Sequence, residues 1–455
     1  MARGKKKETL TPEERLQVAL VPEGEQPYKV PRNWCWVRLE LLLRSSKEKT
    51  EEFSDADLKY VGLEHMQKDG GIVAYDSAER VKSLKNVFHP QQILYGKLRP
   101  YLNKHDIATF DGVCSTDILV FNATSVTIPK FVNFFLDQDT FIEYAVSNSK
   151  GINLPRVSES VVLDAKCPLP PIYEQHRIVD RIESLFAKLD EAKQKAQDAL
   201  DSFETRKAAI LHKAFTGELT AQWRKEHGVG MKSWENLRLE NLIEGGPQNG
   251  LYKPQTAYGT GTKILRIDCF YEGAVLPWEN LKRLALSKNE IEQYHLNIND
   301  IVINRVNSMA YLGKSALIRE LPEECVFESN MMRITLNTRM VIPEYAIKYL
   351  NSVIGVQELR KNAKQAVNQA SINQQDVKNV AIKLPKLDEQ AEIVRILDDL
   401  LAKEQQAKEA AEGVLEQIDL IKKAILARAF RGELGTNDPS EESAQELIKN
   451  FIFKM

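Results

Sequence analysis

A long segment of the chain occurs twice without a gap. Residues 174–219 begin with EQHRIV and end with AFTGEL, and residues 389–434 begin with EQAEIV and end with AFRGEL. Glu174 and Glu389 are 215 positions apart (389 − 174), and so are Phe215 and Phe430 (430 − 215). An internal repeat of this kind predicts one structural unit that is built twice, and the fold must accommodate both copies.

Apolar residues in both copies follow the spacing of a coiled coil, alternating steps of four and three. Alanines lie in the middle of each copy, and Arg206 and Glu404 fall in the same stripes. We expect two long helices that pack against each other; spacing leaves either direction open, and we favour antiparallel, which pairs alanine with alanine. The seam residues are Ile182, Leu185, Leu189, Ala192, Ala196 and Phe203 in the first helix, and Leu397, Leu400, Ala407, Ala411, Val414 and Ile418 in the second.

Length and composition limit the class of protein. A chain of 455 residues predicts two to four domains. No apolar run approaches the length of a membrane span, and MARGKKKETL lacks the apolar core of a signal peptide. The five cysteines form no CxxC pair and indicate free thiols in a reducing cytoplasm. The net charge of −2 means that any surface for nucleic acid must be a local patch.

Before the first long helix, from residue 31 to residue 170, the pattern consists of short β-branched and aromatic runs bounded by Gly, Pro and Asn. We expect strands at 34–43, 91–102, 112–121 and 160–170, and a helix at 129–138 with three phenylalanines on one face. The same pattern returns after the first long helix, much diverged. SWENLRLENLI matches NWCWVRLELLL, VFESNMMRI matches VCSTDILVF, and Arg305 falls over Lys97. This predicts an α+β protein with two tandem α/β domains and two long helices packed as an antiparallel coiled coil.

These patterns divide the chain into six segments. They are 1–30, an N-terminal arm with a short helix capped by Thr11; 31–170, the first domain; 171–222, the first long helix and a connector; 223–385, the second domain; 386–434, the second long helix; and 435–455, a C-terminal tail with a short amphipathic helix.

Several possible catalytic signals fail on inspection. Gly313–Lys314–Ser315 has Ser308 where a phosphate loop needs its first glycine. LPPIY at 169–173 lacks the polar residue that an adenine methyltransferase loop would use, and LDEAK at 189–193 lies on the coiled-coil stripe. The histidines form no pair at metal-ligand spacing. We therefore predict no catalytic centre, no metal and no cofactor in this chain.

Polar and basic residues in the domain loops are candidate DNA contacts. Arg, Lys, Asn and Gln hold phosphates and read the edges of guanine and adenine, although each one taken singly is more often an ordinary surface residue. The candidates are Lys97, Arg99, Lys104, Lys150, Asn153 and Arg156 in the first domain, and Arg305, Asn307, Lys361, Lys364, Gln365, Asn368, Gln369, Asn373 and Gln374 in the second.

The ordered set of EQxxIV, AFxGEL and a preceding LP, occurring twice around divergent domains, resembles the specificity subunit of type I restriction-modification systems. The resemblance covers about residues 34–434. It implies that each domain is a target-recognition domain that reads one half of a bipartite, asymmetric site in double-stranded DNA. It also implies that the helices set the spacing and dock two modification subunits. S-adenosylmethionine, ATP and Mg would then belong to the partner modification and restriction/translocase subunits.

Two other functions remain as alternatives. One is a coiled-coil scaffold whose domains bind proteins, which salt-dependent binding to duplex DNA would distinguish. The other is an enzyme with a cryptic site, which the failed motifs disfavour. A cation at both Lys97 and Arg305 suggests a shared task, either a phosphate anchor or a structural ion pair, and the sequence does not separate the two.

Overall fold

The computed structural model describes residues 11–53, 57–271, 273–367 and 369–454. The elements up to Asp201 alternate strands with short helices before one long helix. The helices are α1 Pro12–Ala19, α2 Leu39–Leu42, α3 Pro129–Leu136, α4 Asp139–Ser147, α5 Glu159–Asp164 and α6 Ile172–Asp201. The strands are β1 Cys35–Arg38, β2 Leu43–Ser45, β3 Lys49–Thr50, β4 Lys59–Val61, β5 Asp76–Ser77, β6 Lys85–Phe88, β7 Ile93–Gly96, β8 His105–Ile107, β9 Gly112–Cys114, β10 Ile118–Ala123 and β11 Lys166–Leu169.

The remainder of the chain repeats this order. Its helices are α7 Phe203–Thr216, α8 Ala221–Glu226, α9 Lys288–Tyr294, α10 Pro343–Leu350, α11 Val353–Arg360, α12 Gln374–Lys378, α13 Leu387–Phe430 and α14 Ala444–Phe453. Its strands are β12 Glu235–Arg238, β13 Ile243–Asn249, β14 Tyr258–Leu265, β15 Phe270–Tyr271, β16 Ala274–Val275, β17 Lys282–Leu284, β18 Asp300–Asn304, β19 Val306–Asn307, β20 Ser315–Leu317, β21 Cys325–Phe327, β22 Met331–Leu336, β23 Lys364–Gln365, β24 Ala370–Ser371 and β25 Ala381–Leu384.

The chain forms two compact units. The first contains the residues up to Ala196 together with those from Gly413 onwards, and the second contains Gln197–Glu412. Each unit therefore includes the beginning of one long helix and the end of the other. The predicted domain boundaries at 170 and 385 lie beside the starts of α6 and α13, whereas the compact units divide both helices near their middle.

The four-stranded sheet has the same topology in both units, whereas other sheets differ in strand number. A four-stranded sheet has the order β2-β10-β7-β8 in the first unit and β13-β22-β18-β20 in the second. The first strand of each unit pairs antiparallel with the strand that precedes the long helix, β1 with β11 and β12 with β25. Each unit also contains one parallel pair, β4 with β9 and β14 with β21. This common order agrees with the duplication that the diverged sequence patterns predict.

Two predicted strand runs contain helices instead. The run 160–170 begins as α5, because Ser158 caps the helix by accepting a hydrogen bond from the Val161 amide, and only Lys166–Leu169 pairs as a strand. The run 34–43 contains α2, whose leucines at 39, 41 and 42 are buried between β1 and β2. Local capping and packing outweigh the β-branched composition at both places.

The described part of the N-terminal segment and the tail are packed rather than free. Thr11 and Glu14 form the predicted capping box of α1, and the Val21 amide donates to the Trp36 carbonyl. In α14 the predicted amphipathic face is present, since Ala444, Ile448 and Ile452 are buried in the first unit's core. Residues 12–30 therefore do not form a free arm.

The repeated Glu-Gln pair ties each long helix to its surroundings. Gln175 is fully buried, and its amide donates to the carbonyls of Val126 and Pro170; Gln390 donates in the same way to Met340 and Pro385. Glutamine provides both a donor and an acceptor, so a single side chain satisfies several buried backbone groups. The glutamine of each pair therefore has a structural role.

The Glu of each pair bonds to the segment that follows the other helix. In the first unit the Thr436 hydroxyl donates to Glu174 at 2.7 Å, and in the second the Thr220 hydroxyl donates to Glu389 at 2.7 Å. The glycine of each AFxGEL, Gly217 or Gly432, ends its helix at a φ of 86° or 74°, a conformation that glycine adopts at little cost. The two repeated motifs are therefore contact partners of each other.

The long helices have antiparallel contacts in each unit. In the first unit Lys422 lies 2.6 Å from Asp190, while Ile182 shares a buried cluster with Leu426 and Phe430. In the second unit Arg206 forms an ion pair with Glu404 at 2.8 Å, and Leu211 clusters with Leu397. In both units, contacts further along the first helix are made with residues nearer the start of the second helix. This is the antiparallel direction.

The first helix is not continuous, contrary to the prediction. It is interrupted at Ser202, whose hydroxyl donates to the carbonyls of Asp198 and Ala199. A serine that bonds to the preceding turn competes with the regular backbone ladder and commonly distorts a helix.

The seam follows the predicted stripe in the first helix and departs from it in the second. Ile182, Ala196 and Phe203 are buried, and Leu185, Leu189 and Ala192 are half-buried. Leu397, Ala411 and Ile418 are buried and Leu400 is half-buried, but Ala407 and Val414 are exposed.

The neighbouring residues Lys408 and Leu415 take the half-buried positions instead. The Lys408 ammonium lies 5.0 Å from the Phe203 ring centroid, and Lys422 lies 5.0 Å from that of Phe186. A lysine stem can cover an aromatic ring while its charge stays in water, so the seam shifts by one residue.

Candidate nucleic-acid interface

Backbone hydrogen bonds bring most of the first unit's candidates into one cluster. Lys97 follows β7; its amide donates to the Asp117 carbonyl, and its own carbonyl accepts from Val157. The Arg99 amide donates to Pro155, and Lys150 and Arg156 exchange two backbone bonds of 2.8 Å. Asn153 lies in the turn between these two residues. Five of the six predicted residues are therefore neighbours.

The side chains of this cluster differ in how far they are already occupied. Arg156 forms an ion pair with Asp117 at 3.1 Å. Arg99, Lys150 and Asn153 are exposed, and within the described ranges their side chains have no hydrogen-bond partner. Two cations and an amide therefore remain available to an anionic ligand.

The charge of Lys97 acts on the Glu159 carboxylate, whose hydrogen-bond partners are Lys47 and Ser45. Burial alone raises the pKa of Glu159, but hydrogen bonds from Lys47 and Ser45 and the charges of Lys47 and Lys97 hold it below its usual value. Part of the Lys97 charge is thus balanced inside the unit.

Lys104 lies beside the cluster, since its carbonyl accepts from the Gly96 amide, but its side chain is bonded elsewhere. Its ammonium donates to the Leu63 carbonyl at 2.7 Å and the side chain is half-buried, so it has a structural role. The prediction of a DNA contact there stays unsupported, because the sequence does not reveal which carbonyl a lysine will reach.

The second unit uses the same backbone arrangement around Arg305. The Arg305 amide donates to Asn330, and its carbonyl accepts from Ile372, as Lys97 does with Asp117 and Val157. The superposition of Arg305 on Lys97 is therefore confirmed. However, β18 ends at Asn304, so Arg305 lies just beyond the strand that was predicted to contain it.

Arg305 has no ion-pair partner among the residues that the structure describes. Its Nη1 donates to the Ser329 carbonyl at 3.0 Å, while its Nε is buried without a hydrogen-bond partner, as is the whole amide of neighbouring Asn304. Buried polar atoms normally have hydrogen-bond partners, so these atoms without partners are unusual for the interior of a protein. The position that carries Glu159 in the first copy is Gln374 here (374 − 159 = 215), which leaves the cation without that carboxylate.

A polar cavity of about 380 Å³ opens beside Arg305. Asn373 and Gln374 were predicted site residues; Asn249, Gln375 and Lys378 were not. Gln375 and Lys378 follow the predicted residues Asn373 and Gln374 closely in the chain, so the sequence carried a signal for them. Asn249 comes from β13, far away in the chain, and only the fold brings it here. The lining residues are Asn249, Arg305, Asn373, Gln374, Gln375 and Lys378.

The remaining candidates of the second unit lie on or beside the small sheet β19-β24-β23. Asn307 pairs with Ala370, while Lys364, Gln365 and Gln369 are exposed. Lys361 forms an i,i+3 ion pair with Glu358 at 3.6 Å. Asn373 caps α12 by accepting from the Gln375 and Asp376 amides. Asn368 lies outside the described residues.

Within the described ranges no group of three His, Cys, Asp or Glu residues is placed to hold a metal ion. None of the described helices combines the length and apolar character needed to cross a membrane. The five cysteines are free thiols, and burial raises the pKa of Cys35 to about 12.

One known protein family matches residues of the second copy. The family described as "Type I restriction modification DNA specificity domain" matches residues 231–413. Residues 231–413 are therefore similar to a type I DNA specificity domain. The match includes Arg305, the cavity beside it and the first part of α13, and it confirms the resemblance that the repeated motifs indicate.

Two curated relatives are specificity subunits by name. The type I restriction enzyme EcoDI specificity subunit of Escherichia coli is 34% identical over 201 residues, which cover 44% of this chain and 45% of that protein. The EcoKI specificity subunit of E. coli strain K12 is 27% identical over 330 residues, 71% of this chain and 68% of that protein. The match to the EcoDI subunit thus spans less than half of its length.

Solved structures share the fold. The HsdS subunit of Thermoanaerobacter tengcongensis is 24% identical with a TM-score of 0.65, covering 90% of this chain and all of that one. A chain from a structure on complex assembly and conformational transition of the type I R-M system has a TM-score of 0.68 at 22% identity, with the same coverage. The mixed helix-and-strand fold of this chain is therefore a known architecture.

Proposed function

We propose that this chain is the DNA sequence-recognition subunit of a type I restriction-modification complex, and that each domain reads one half of a bipartite site. The observation that carries the proposal is the pair of equivalent loop clusters around Lys97 and Arg305. They share one backbone arrangement but carry different polar side chains, basic in one copy and rich in amides in the other. Recognition of an asymmetric site requires different side chains in the two copies, and a common backbone arrangement can present both sets.

The long helices form an antiparallel coiled coil in this proposal and set the distance between the two half-sites. Two readers on one scaffold multiply specificity, since each domain alone discriminates only a few base pairs. The duplicated scaffold also offers two equivalent faces on which two modification subunits dock.

The catalytic steps belong to partners. Modification subunits would bring S-adenosylmethionine, and restriction/translocase subunits would bring ATP and Mg. This chain would supply double-stranded DNA recognition and no turnover of its own.

The test is co-expression of the chain with the modification subunit encoded beside it, followed by mapping of methylated adenines. We expect a stable complex and methylation at one asymmetric, two-part sequence. Turnover of S-adenosylmethionine or ATP by the pure, isolated chain would contradict the proposal. A complex that binds protein partners but shows no salt-dependent binding to duplex DNA would favour the scaffold alternative.

A further inference from the structure

Two apolar side chains at matching positions of the two units are completely exposed. Ile152 and Val367 each have a relative exposure of 100%. They are 215 positions apart (367 − 152), the offset that relates the long helices. In both copies the next residue is an asparagine, Asn153 or Asn368. A β-branched apolar residue followed by asparagine is thus present twice at one position.

Both residues lie at the tip of a turn that is fastened at its base. Backbone bonds between Lys150 and Arg156 close the first turn, so Ile152 is the second residue within it. Pairing of Gln365 with Ala370 closes the second turn, and Val367 is again the second residue.

The residues that follow these turns anchor them to the cores. Val157 and Ile372 are buried, and their amides donate to the carbonyls of Lys97 and Arg305. The two tips therefore project from equivalent positions of the two units, next to the polar clusters.

The repetition is what makes these tips informative. A single exposed aliphatic residue is common on protein surfaces and carries no argument. Here the other residues of the two turns have diverged, with Leu154 opposite Gln369 and Arg156 opposite Ser371. An apolar character kept at one slot, where it contributes no packing to the isolated chain, points to a surface that buries it on binding.

We propose that each tip enters a groove of double-stranded DNA and places Ile152 or Val367 against the base pairs. This inference rests on the proposed function and adds the apolar part of the contact. Basic groups lie beside each tip, Arg99 and Lys150 at the first and Lys364 and Arg305 at the second, and they would hold the phosphates. Base pairs offer apolar partners, the thymine methyl group and the stacked faces, that aliphatic side chains contact in known complexes.

The test uses the full chain in complex with its modification subunits and a duplex that carries the mapped site. We expect Ile152→Ser and Val367→Ser each to weaken binding about tenfold, equivalent to about 1.4 kcal/mol. The slope of affinity against salt should stay at the wild-type value, because an aliphatic side chain displaces no counterion. Lys150→Ser, in the same turn, should instead reduce the slope by about one contact.

Leu154→Ser is the matched control. Leu154 is 51% exposed in the same turn, and its slot holds a glutamine in the second copy, so wild-type affinity is expected. Wild-type affinity of both tip variants overturns the proposal, as does an equal loss in Leu154→Ser or a changed salt slope. Loss of the modification subunit with DNA binding intact would assign the tips to a protein contact and overturn it too. A wild-type complex that binds no duplex contradicts the proposed function itself, whereas failure of the tip variants alone leaves that function standing.

Discussion

At the scale of single residues, equivalent positions have acquired different surroundings. Lys97 and Arg305 share their backbone partners, but Lys97 acts on the Glu159 carboxylate and Arg305 faces the amide-lined cavity. Of the two roles that the sequence left open for Arg305, the structural ion pair has no partner among the described residues. The phosphate anchor therefore becomes the stronger hypothesis.

Arg305→Ala should weaken binding to all duplexes and reduce the salt slope by about one contact, since a phosphate contact releases counterions. Lys97→Ala should have a smaller effect because Glu159 already balances part of its charge. The double substitution should be nearly additive. Duplex affinity measured against salt concentration provides the result.

Lys104→Ala is the control for this series, because its ammonium is bonded to the Leu63 carbonyl. It should lower the melting temperature and leave the salt slope unchanged. Normal affinity of Arg305→Ala together with a lower melting temperature would assign Arg305 a structural role.

His105 should make the stability of the first unit depend on pH. The imidazole is fully buried, with Nε2 2.9 Å from Asp137 and Nδ1 2.8 Å from Asn133. Burial alone lowers the pKa of His105, but the Asp137 charge, hydrogen bonds to Asp137 and Asn133, and the Asp106 charge raise it above the usual value. A raised pKa in the folded state stabilises the protein below about pH 6.5, and this stabilisation disappears as the pH rises through the folded pKa.

His105→Gln should therefore lower the melting temperature more at pH 6 than at pH 9. Thermal melts of wild type and variant over this range test the sign, with the exposed His176→Gln as control for loss of an imidazole. A larger effect at pH 9 would show that the buried ring is neutral in the folded protein.

At the scale of elements, the ends of the long helices depend on buried charge. Glu389 at the start of α13 accepts from Thr220, Arg224 and the Trp234 indole, and both partners of the Arg224–Glu389 pair are almost inaccessible. The corresponding Glu174 accepts from Thr436 and from Arg177, whose guanidinium is partly exposed. Both copies thus keep the carboxylate, and each provides a threonine donor, although Thr220 and Thr436 are 216 positions apart (436 − 220); the cation differs.

Arg224→Ala should destabilise the second unit by about 3–5 kcal/mol, because it leaves a buried carboxylate without a cation. Arg395→Ala removes an exposed i,i+3 partner of Glu392 on the same helix and should cost much less, because water screens that ion pair. Denaturant titration of both variants makes the comparison. Similar shifts would mean that water or Thr220 and Trp234 suffice to hold Glu389.

At the scale of the whole molecule, the proposed coiled coil sets the distance between the two half-sites, and this role can be tested. Insertion of seven residues into both helices at matched heptad positions keeps the seam in phase. The insertion adds about 10 Å along the axis, which corresponds to about three base pairs at roughly 3.4 Å each. We expect loss of methylation at the native site while each half-site preference survives.

Methylation sequencing of DNA exposed to the variant complex measures this. Insertion into one helix alone is the control, and it should lower the melting temperature because the seam loses its register. Unchanged methylation at the native spacing would show that the helices do not set the distance.

The sequence by itself determined the duplication, the two long helices, their seam in the first copy and the equivalence of Lys97 with Arg305. These features follow from local residue spacing or from repeated residues. They can be recognised without knowledge of contacts between distant parts of the chain. The same holds for the capped helix at Thr11, whose start signals lie within a few residues.

The tertiary structure alone decided which polar residues meet. It joined Asn249 to the cavity beside Arg305, turned Lys104 to the Leu63 carbonyl, and moved the second seam from Ala407 and Val414 to their neighbours. Each of these outcomes depends on residues brought together from distant parts of the chain, such as Phe203 facing Lys408. Local periodicity carries no information about such partners, because the position of one element against another is set by the packing of the complete unit.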